Sequence, residues 1–165
     1  MRRLVLVLVI AVAAAAGVLR AGGEEADGPG AASEAKVLRV VDGDTIAVRL
    51  DGRAERVRYI GVDTPESVEP GTPVQCFAHA AAAENARLVA GERVRLVRDV
   101  KARDRFGRLL AYVYRVRDGS FVNAELVRRG YARTLTIPPN VRFADRLARL
   151  ARAARAAGRG LWTAC

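Results

Sequence analysis

Two Asp-Gly pairs, Asp42-Gly43 and Asp51-Gly52, cut the stretch from Val37 to Val62 into three short apolar runs. Asp-Gly marks a two-residue hairpin loop, because the favoured turn needs positive φ at its central residues. Between the two turns Ile46, Val48 and Leu50 alternate with Thr45, Ala47 and Arg49, the period of a strand with one buried face. The chain is therefore predicted to fold here as an antiparallel meander of Val37 to Val41, Thr45 to Leu50 and Arg53 to Val62. Facing Leu50 with Arg53 across the second turn fixes the register, with Thr45 opposite Arg58 and Asp44 opposite Tyr59. Asp63 lies four residues beyond Tyr59, about 13 Å along a straight strand. It can approach Asp44 only if the sheet curls, and Gly61 is the residue that permits a curl.

The remaining chain reads as a loop with Pro70-Gly71 and Pro73, then an alanine-rich helix from Gln75 to Ala90 stopped by Gly91. A strand from Glu92 to Arg98, a charged loop from Asp99 to Gly107 and a strand from Leu109 to Val116 follow. Phe121 to Arg129 is a short helix stopped by Gly130. Val141 to Ala157 is an amphipathic helix with Ala144, Leu147, Leu150, Ala151 and Ala154 on one side. Five strands with helices after the third and the fifth, three helices in all, suit an α+β fold built on a five-stranded OB-type barrel.

Residues 1–21 read separately. Met1-Arg2-Arg3 precedes an unbroken apolar run of 16 residues, Leu4 to Leu19, which is an export signal or a membrane anchor. Residues 22–35 mix Gly, Glu, Asp, Pro and Ala without periodicity and read as a flexible tether, so the folded domain is placed at 36–163. An exported or extracytoplasmic protein results, secreted if the run is cleaved and tethered through residues 4–19 if it is kept. In that setting Cys76 and Cys165 permit a disulfide, with a free buried thiol as the alternative. A cysteine nucleophile is disfavoured, because the only histidine, His79, has no orienting third group beside it.

With 28 basic against 18 acidic residues the net charge is +10. Such a balance favours a polyanionic partner. Only Lys36 and Lys101 among the basic residues are lysine, a skew that an arginine-favouring genome explains as well as phosphate binding does.

Three strings carry chemistry: Val-Asp-Gly-Asp-Thr at 41–45, Arg-Tyr-Ile-Gly-Val-Asp-Thr-Pro-Glu at 58–66 and Asp-Arg-Phe-Gly-Arg at 104–108. Singly they are weak, since Asp-Gly is a turn and Thr-Pro-Glu a common loop or helix start. Together they supply hard oxygen ligands, a proton acceptor and forked phosphate donors. In this order they resemble the thermonuclease family, the staphylococcal-nuclease-like domain, from about Lys36 to Trp162. The resemblance implies Ca²⁺ held by Asp44, Asp63 and the backbone carbonyl of Thr64, and Glu66 as general base. It also implies phosphate clamping by Arg58 and Arg108, with products ending in 3′-phosphate and 5′-hydroxyl. Asp42 is expected to add to the local negative field.

Two departures from the family pattern bear on substrate binding. Arg105 and Phe106 stand where the staphylococcal enzyme has a lysine and a tyrosine near a terminal phosphate, so a hydroxyl donor is missing. The segment Thr134 to Pro139 lacks the tyrosines that flank the base, which leaves base preference open. The expected function is a Ca²⁺-dependent endonuclease acting as a monomer on DNA and RNA, single-stranded or frayed. The alternative is an OB module that binds nucleic acid and cuts it poorly.

Overall fold

β1 (Ala32–Asp42), β2 (Thr45–Leu50) and β3 (Arg53–Tyr59) form the antiparallel meander, with Leu50 facing Arg53 and Thr45 facing Arg58 as the turn spacing requires. They open a computed structural model that describes residues 30–66 and 73–165. β5 (Arg93–Val97) and β6 (Leu109–Arg115) complete a closed barrel in the order β1-β2-β3-β6-β5, where β3 and β6 run parallel and the other pairs antiparallel. Closure rests on β1, whose first half pairs with β5 and whose second half pairs with β2. Register shifts between Val37 and Arg39 and between Val40 and Asp42 bend the strand as it crosses from one neighbour to the other. The five-stranded OB-like barrel expected from the sequence is thus present.

Inside the barrel Ile46, Val48, Val57, Tyr59, Val94 and Val113 are buried, and each apolar side chain of this size contributes about 1.5–3 kcal/mol. α1 (Ala78–Val89) packs on β1, α2 (Val122–Arg128) on β6, and α3 (Ala144–Ala156) on α2. β4 (Gly61–Asp63) pairs with β7 (Arg133–Leu135) in a separate two-stranded sheet, and α4 (Leu161–Ala164) ends the chain.

Several boundaries differ from the sequence reading. Ala32 to Ala35 are part of β1, not of a tether ending at 35, because their backbone supplies the ladder to β5. The single strand expected over Arg53 to Val62 is broken at Ile60, whose N–H still donates to Ala111 O (3.0 Å) before the chain leaves β6 for β7. The first helix begins at Ala78 instead of Gln75 and the third at Ala144 instead of Val141, and the short α4 is a fourth beyond the three expected. Cys76 and Cys165 are joined in a disulfide, which decides between the pairing and the free thiol. The apolar run 4–19 lies outside the described residues; among those described no helix is long and apolar enough to cross a membrane.

Candidate active site

The turn between β1 and β2 carries Asp42, Gly43 and Asp44. Asp44 N–H donates to Asp42 Oδ1 (3.1 Å), an Asx-type closure of the turn. Gly43 is required by what lies on it: a Cβ there would meet Thr64 Oγ1 at 2.6 Å. Buried Asn85 of α1 reaches into the same turn, donating from Nδ2 to Asp42 O (2.9 Å) and accepting from the Tyr59 hydroxyl (3.0 Å). One asparagine therefore fixes the acidic turn against both a helix and the barrel floor.

A second buried asparagine fixes the other acidic group. Asn123 of α2 accepts from Val113 N–H (2.9 Å) and donates to Ile60 O (2.8 Å), pinning the chain at the break between β3 and β4. Gly61 turns there with φ 80, and a Cβ on it would meet Leu147 Cδ1 of α3 at 2.5 Å. The expected curl is therefore real, and only glycine fits both its backbone and its packing. The curl swings Asp63 back toward the turn that holds Asp44.

Arg58 joins the two. Its Nη1 lies 3.1 Å from Asp44 Oδ2 and its Nη2 donates to Asp63 Oδ1 (2.8 Å), while Nη1 also donates to the carbonyls of Val62 (2.7 Å) and Tyr59 (3.1 Å). Asp44 Oδ2 accepts besides from Thr64 N–H (2.8 Å) and Thr64 Oγ1 (3.0 Å). Even so, burial pushes the Asp44 carboxyl up to about 7, Arg58 and the Thr64 amide pull it down, and the neighbouring Asp42 adds to the rise. Negative charge here is crowded and not fully compensated.

That imbalance is what a hard divalent cation relieves. Asp63, with its side chain 48% exposed, leaves carboxylate surface open to solvent beside the buried Asp44. Among the described residues no cluster of three or more His, Cys, Asp or Glu is set to hold a metal. The donors that fit are two carboxylates and a peptide oxygen, the type Ca²⁺ accepts together with water and substrate oxygens.

Arg58 also lines a cleft of about 420 Å³, shared with Arg108, Arg105, Phe106, Lys101 and the segment Leu135 to Asn140. The parallel register of β3 and β6 sets Arg58 opposite Leu110, two residues past Arg108. Asp104 holds Arg108 in place: Oδ2 accepts from Arg108 Nε (2.6 Å), and Oδ1 accepts the N–H groups of Phe106 (2.9 Å) and Arg108 (3.0 Å). Phe106 is 67% exposed, with the guanidinium carbons of Arg105 and Arg108 at 4.7 and 5.3 Å from its ring centre. Opposite, Asn140 clasps Lys101 through both its amide atoms, accepting from Lys101 N–H (2.7 Å) and donating to Lys101 O (2.8 Å).

Glu66 follows Thr64 and Pro65 and is partly exposed. Its backbone is gripped by Gln75: Glu66 N–H donates to Gln75 Oε1 (3.1 Å) and Gln75 N–H donates to Glu66 O (3.0 Å). The next residue, Cys76, is bonded to Cys165, so the C-terminal end of the chain anchors the clasp.

Of the residues singled out in the sequence, Asp44, Asp63, Thr64 and Arg58 form one contacting group, and Arg58, Arg108, Arg105 and Phe106 share one cleft. Glu66 is placed by its own clasp. Sequence reasoning did not assign the positioning roles of Asn85, Asn123 and Gln75, nor that of Asp104 within its own 104–108 string, nor the clasp of Asn140 on the Lys101 backbone at the cleft rim. The available signal was a lone asparagine on an apolar helix face, which in a packed helix demands buried partners.

Comparison with known proteins adds to this geometry. The model of the staphylococcal nuclease homologue family matches residues 56–164. A thermonuclease of Staphylococcus hyicus is 39% identical over 128 residues, covering 78% of this chain and 75% of that protein. A thermonuclease of Staphylococcus intermedius is 48% identical over 107 residues, covering 65% of this chain and 62% of that protein. The endonuclease YncB of Bacillus subtilis (strain 168) is 41% identical over 109 residues, of whose length the match spans about half, 51%. With the closed mixed barrel already described, the extent of these matches shows that the chain belongs to the staphylococcal nuclease family.

Proposed function

We propose that the protein is a Ca²⁺-dependent endonuclease that hydrolyses phosphodiester bonds of DNA and RNA and leaves 3′-phosphate and 5′-hydroxyl ends. Its family makes it a nuclease; the finer reading rests on the cleft. One observation carries it: a single guanidinium, Arg58, reaches both acidic side chains and lines the same cleft as Arg108.

A phosphodiester resists water because its negative charge repels the nucleophile. Arg58 and Arg108 present forked donors to the non-bridging oxygens as charge builds up on them. Glu66 orients the attacking water and accepts its proton, and the 5′-oxygen departs in line. Asp44, Asp63 and the Thr64 carbonyl would hold Ca²⁺, which when bound neutralises phosphate charge. One copy of the chain carries every one of these groups, so a monomer suffices. The Cys76–Cys165 disulfide supports export through the N-terminal apolar segment, whether cleaved or kept as a tether.

The test is cleavage of single- and double-stranded DNA and of RNA across added metals and with chelator. Turnover in Ca²⁺ that falls by orders of magnitude in Glu66→Gln and in Arg108→Gly, with both variants folded, is the expected result. DNA that is retarded in a gel but never cut would favour the binding module instead.

A further inference from the structure

We infer that a second, non-catalytic surface beside the cleft, formed by Arg142, Arg146 and Arg95, binds the backbone phosphates of the same nucleic-acid strand outside the cutting site. This rests on the nuclease reading and extends it. The two segments that Asn140 clasps, around Lys101 and around Asn140 itself, do not end at the cleft. Two residues further along, Arg142 N–H donates to Asp99 Oδ2 (3.2 Å), and the same carboxylate oxygen accepts the Tyr112 hydroxyl (2.9 Å). The rim of the cleft therefore continues onto a surface that begins at Arg142.

Aromatic rings support that surface. Phe143 packs on Phe121 with centroids 5.1 Å apart, and Phe121 stacks on Tyr114 at 4.7 Å and 12°. A guanidinium lies over each ring: Arg142 over Phe143 (5.3 Å), Arg146 over Phe121 (5.3 Å) and Arg95 over Tyr114 (4.9 Å). Arg95 comes from β5, Arg142 from just before α3 and Arg146 from its first turn; all three are exposed, and among the described residues no ion pair joins their guanidinium groups to a carboxylate. All three fields converge on the Tyr114 hydroxyl, which burial pushes up and which Arg146, Arg95 and Arg142 pull back. Like charges held together without counter-charges repel, and the aromatic bed offsets only part of that repulsion. The exposed guanidiniums carried on this aromatic bed match a run of backbone phosphates on a strand leaving the cleft.

The experiment compares three proteins: the wild type, a triple variant Arg95→Gln/Arg142→Gln/Arg146→Gln, and a control of equal charge, Arg39→Gln/Arg56→Gln/Arg152→Gln. Anisotropy of a labelled long single-stranded oligonucleotide in chelator, titrated over salt, gives affinity without cleavage. The surface triple should bind at least tenfold more weakly and reduce the slope of log K on log salt by about 2, since each single-strand phosphate contact contributes about 0.7. The control should bind like the wild type. In Ca²⁺, the ratio of kcat/KM on the long strand to that on a dinucleotide should fall at least tenfold in the surface triple only. Equal loss in both triple variants, or none in either, would overturn the inference. So would release of the surface triple from anionic phosphatidylglycerol vesicles with oligonucleotide binding intact. If the wild type fails to cut the long strand in Ca²⁺, the nuclease reading fails, and the binding slopes still decide the surface.

Discussion

Arg58 Nη1 lies 3.1 Å from the carboxylate of Asp44, whose side chain is only 2% exposed. The pair carries structure as well as chemistry, because the same guanidinium also ties Asp63 and the carbonyls of Tyr59 and Val62. Removing Arg58 leaves the buried Asp44 carboxylate without its ion-pair partner, a loss of about 3 kcal/mol or more. Arg58→Gln is therefore expected to lower both turnover and urea stability. Arg108→Gly should lower turnover alone, since among the described residues Asp104 is the one carboxylate paired with Arg108, at the cleft. Initial rates and urea midpoints measured on both variants check the contrast.

Asp44 has its carboxyl raised to about 7, so between about pH 4 and 7 the folded protein binds more protons than the unfolded chain. Without divalent ion, the contribution of Asp44 to stability is full below the unfolded value and declines as pH rises through that window. Asp44→Asn should raise Tm in chelator at pH 8 by about 3 °C, the equivalent of roughly 1 kcal/mol in a domain of this size. It should also abolish any rise of Tm on adding Ca²⁺. In the wild type, apparent Ca²⁺ affinity should weaken by up to about tenfold per pH unit below 7, as Asp44 must first lose its proton. Thermal melts over pH and Ca²⁺ test both statements.

Asp104 touches no substrate in this reading and acts through Arg108. Its two oxygens bind the Arg108 side chain and two backbone N–H groups, and these bonds hold its carboxyl below the usual range despite partial burial. Asp104→Ala should cut kcat about tenfold or more, with a smaller effect in a protein already carrying Arg108→Gly. A double-mutant cycle in kcat measures the coupling; full additivity would separate the two residues.

Gln75 grips the Glu66 backbone and is followed by the disulfide-bonded Cys76. Gln75→Met, which removes the acceptor, should lower kcat with little change in KM, and Gln75→Glu, which keeps an acceptor there, should restore much of it. The cross-link spans a sequence separation of 89, so Cys76→Ser/Cys165→Ser should cost about 4–5 kcal/mol of unfolding free energy. Chemical denaturation with and without reductant reads that loss directly.

The second hairpin was legible because the Asp51-Gly52 turn leaves one register, and the facing of Thr45 with Arg58 followed from counting residues; the first turn falls on Gly43 and Asp44, one residue later than Asp42-Gly43, since Asp42 still pairs with Thr45. Gly61 was legible as the place to curl, since Asp63 could not otherwise approach Asp44. The split of the third strand at Ile60 was not, because Val62 continues the apolar alternation and only Asn123 and β7 pull it away. Ala32 to Ala35 gave no strand signal, being small or charged, and pair only because β5 offers an open ladder. Asn85 and Asn123 were invisible as positioning groups, since periodicity marks a helix face as buried without saying what a polar side chain on it will meet.

β3 and β6 run parallel over three facing positions, Val57 with Leu109, Arg58 with Leu110 and Tyr59 with Ala111. The offset between Arg58 and Arg108 is consequently a property of the sheet ladder and owes nothing to the length of chain joining them. Longer or shorter versions of the intervening segments can exchange the groups that select a nucleotide while the separation of the two forks stays constant. Recognition and cutting are mechanically decoupled in this architecture, which makes the rim the natural place to graft new substrate preference.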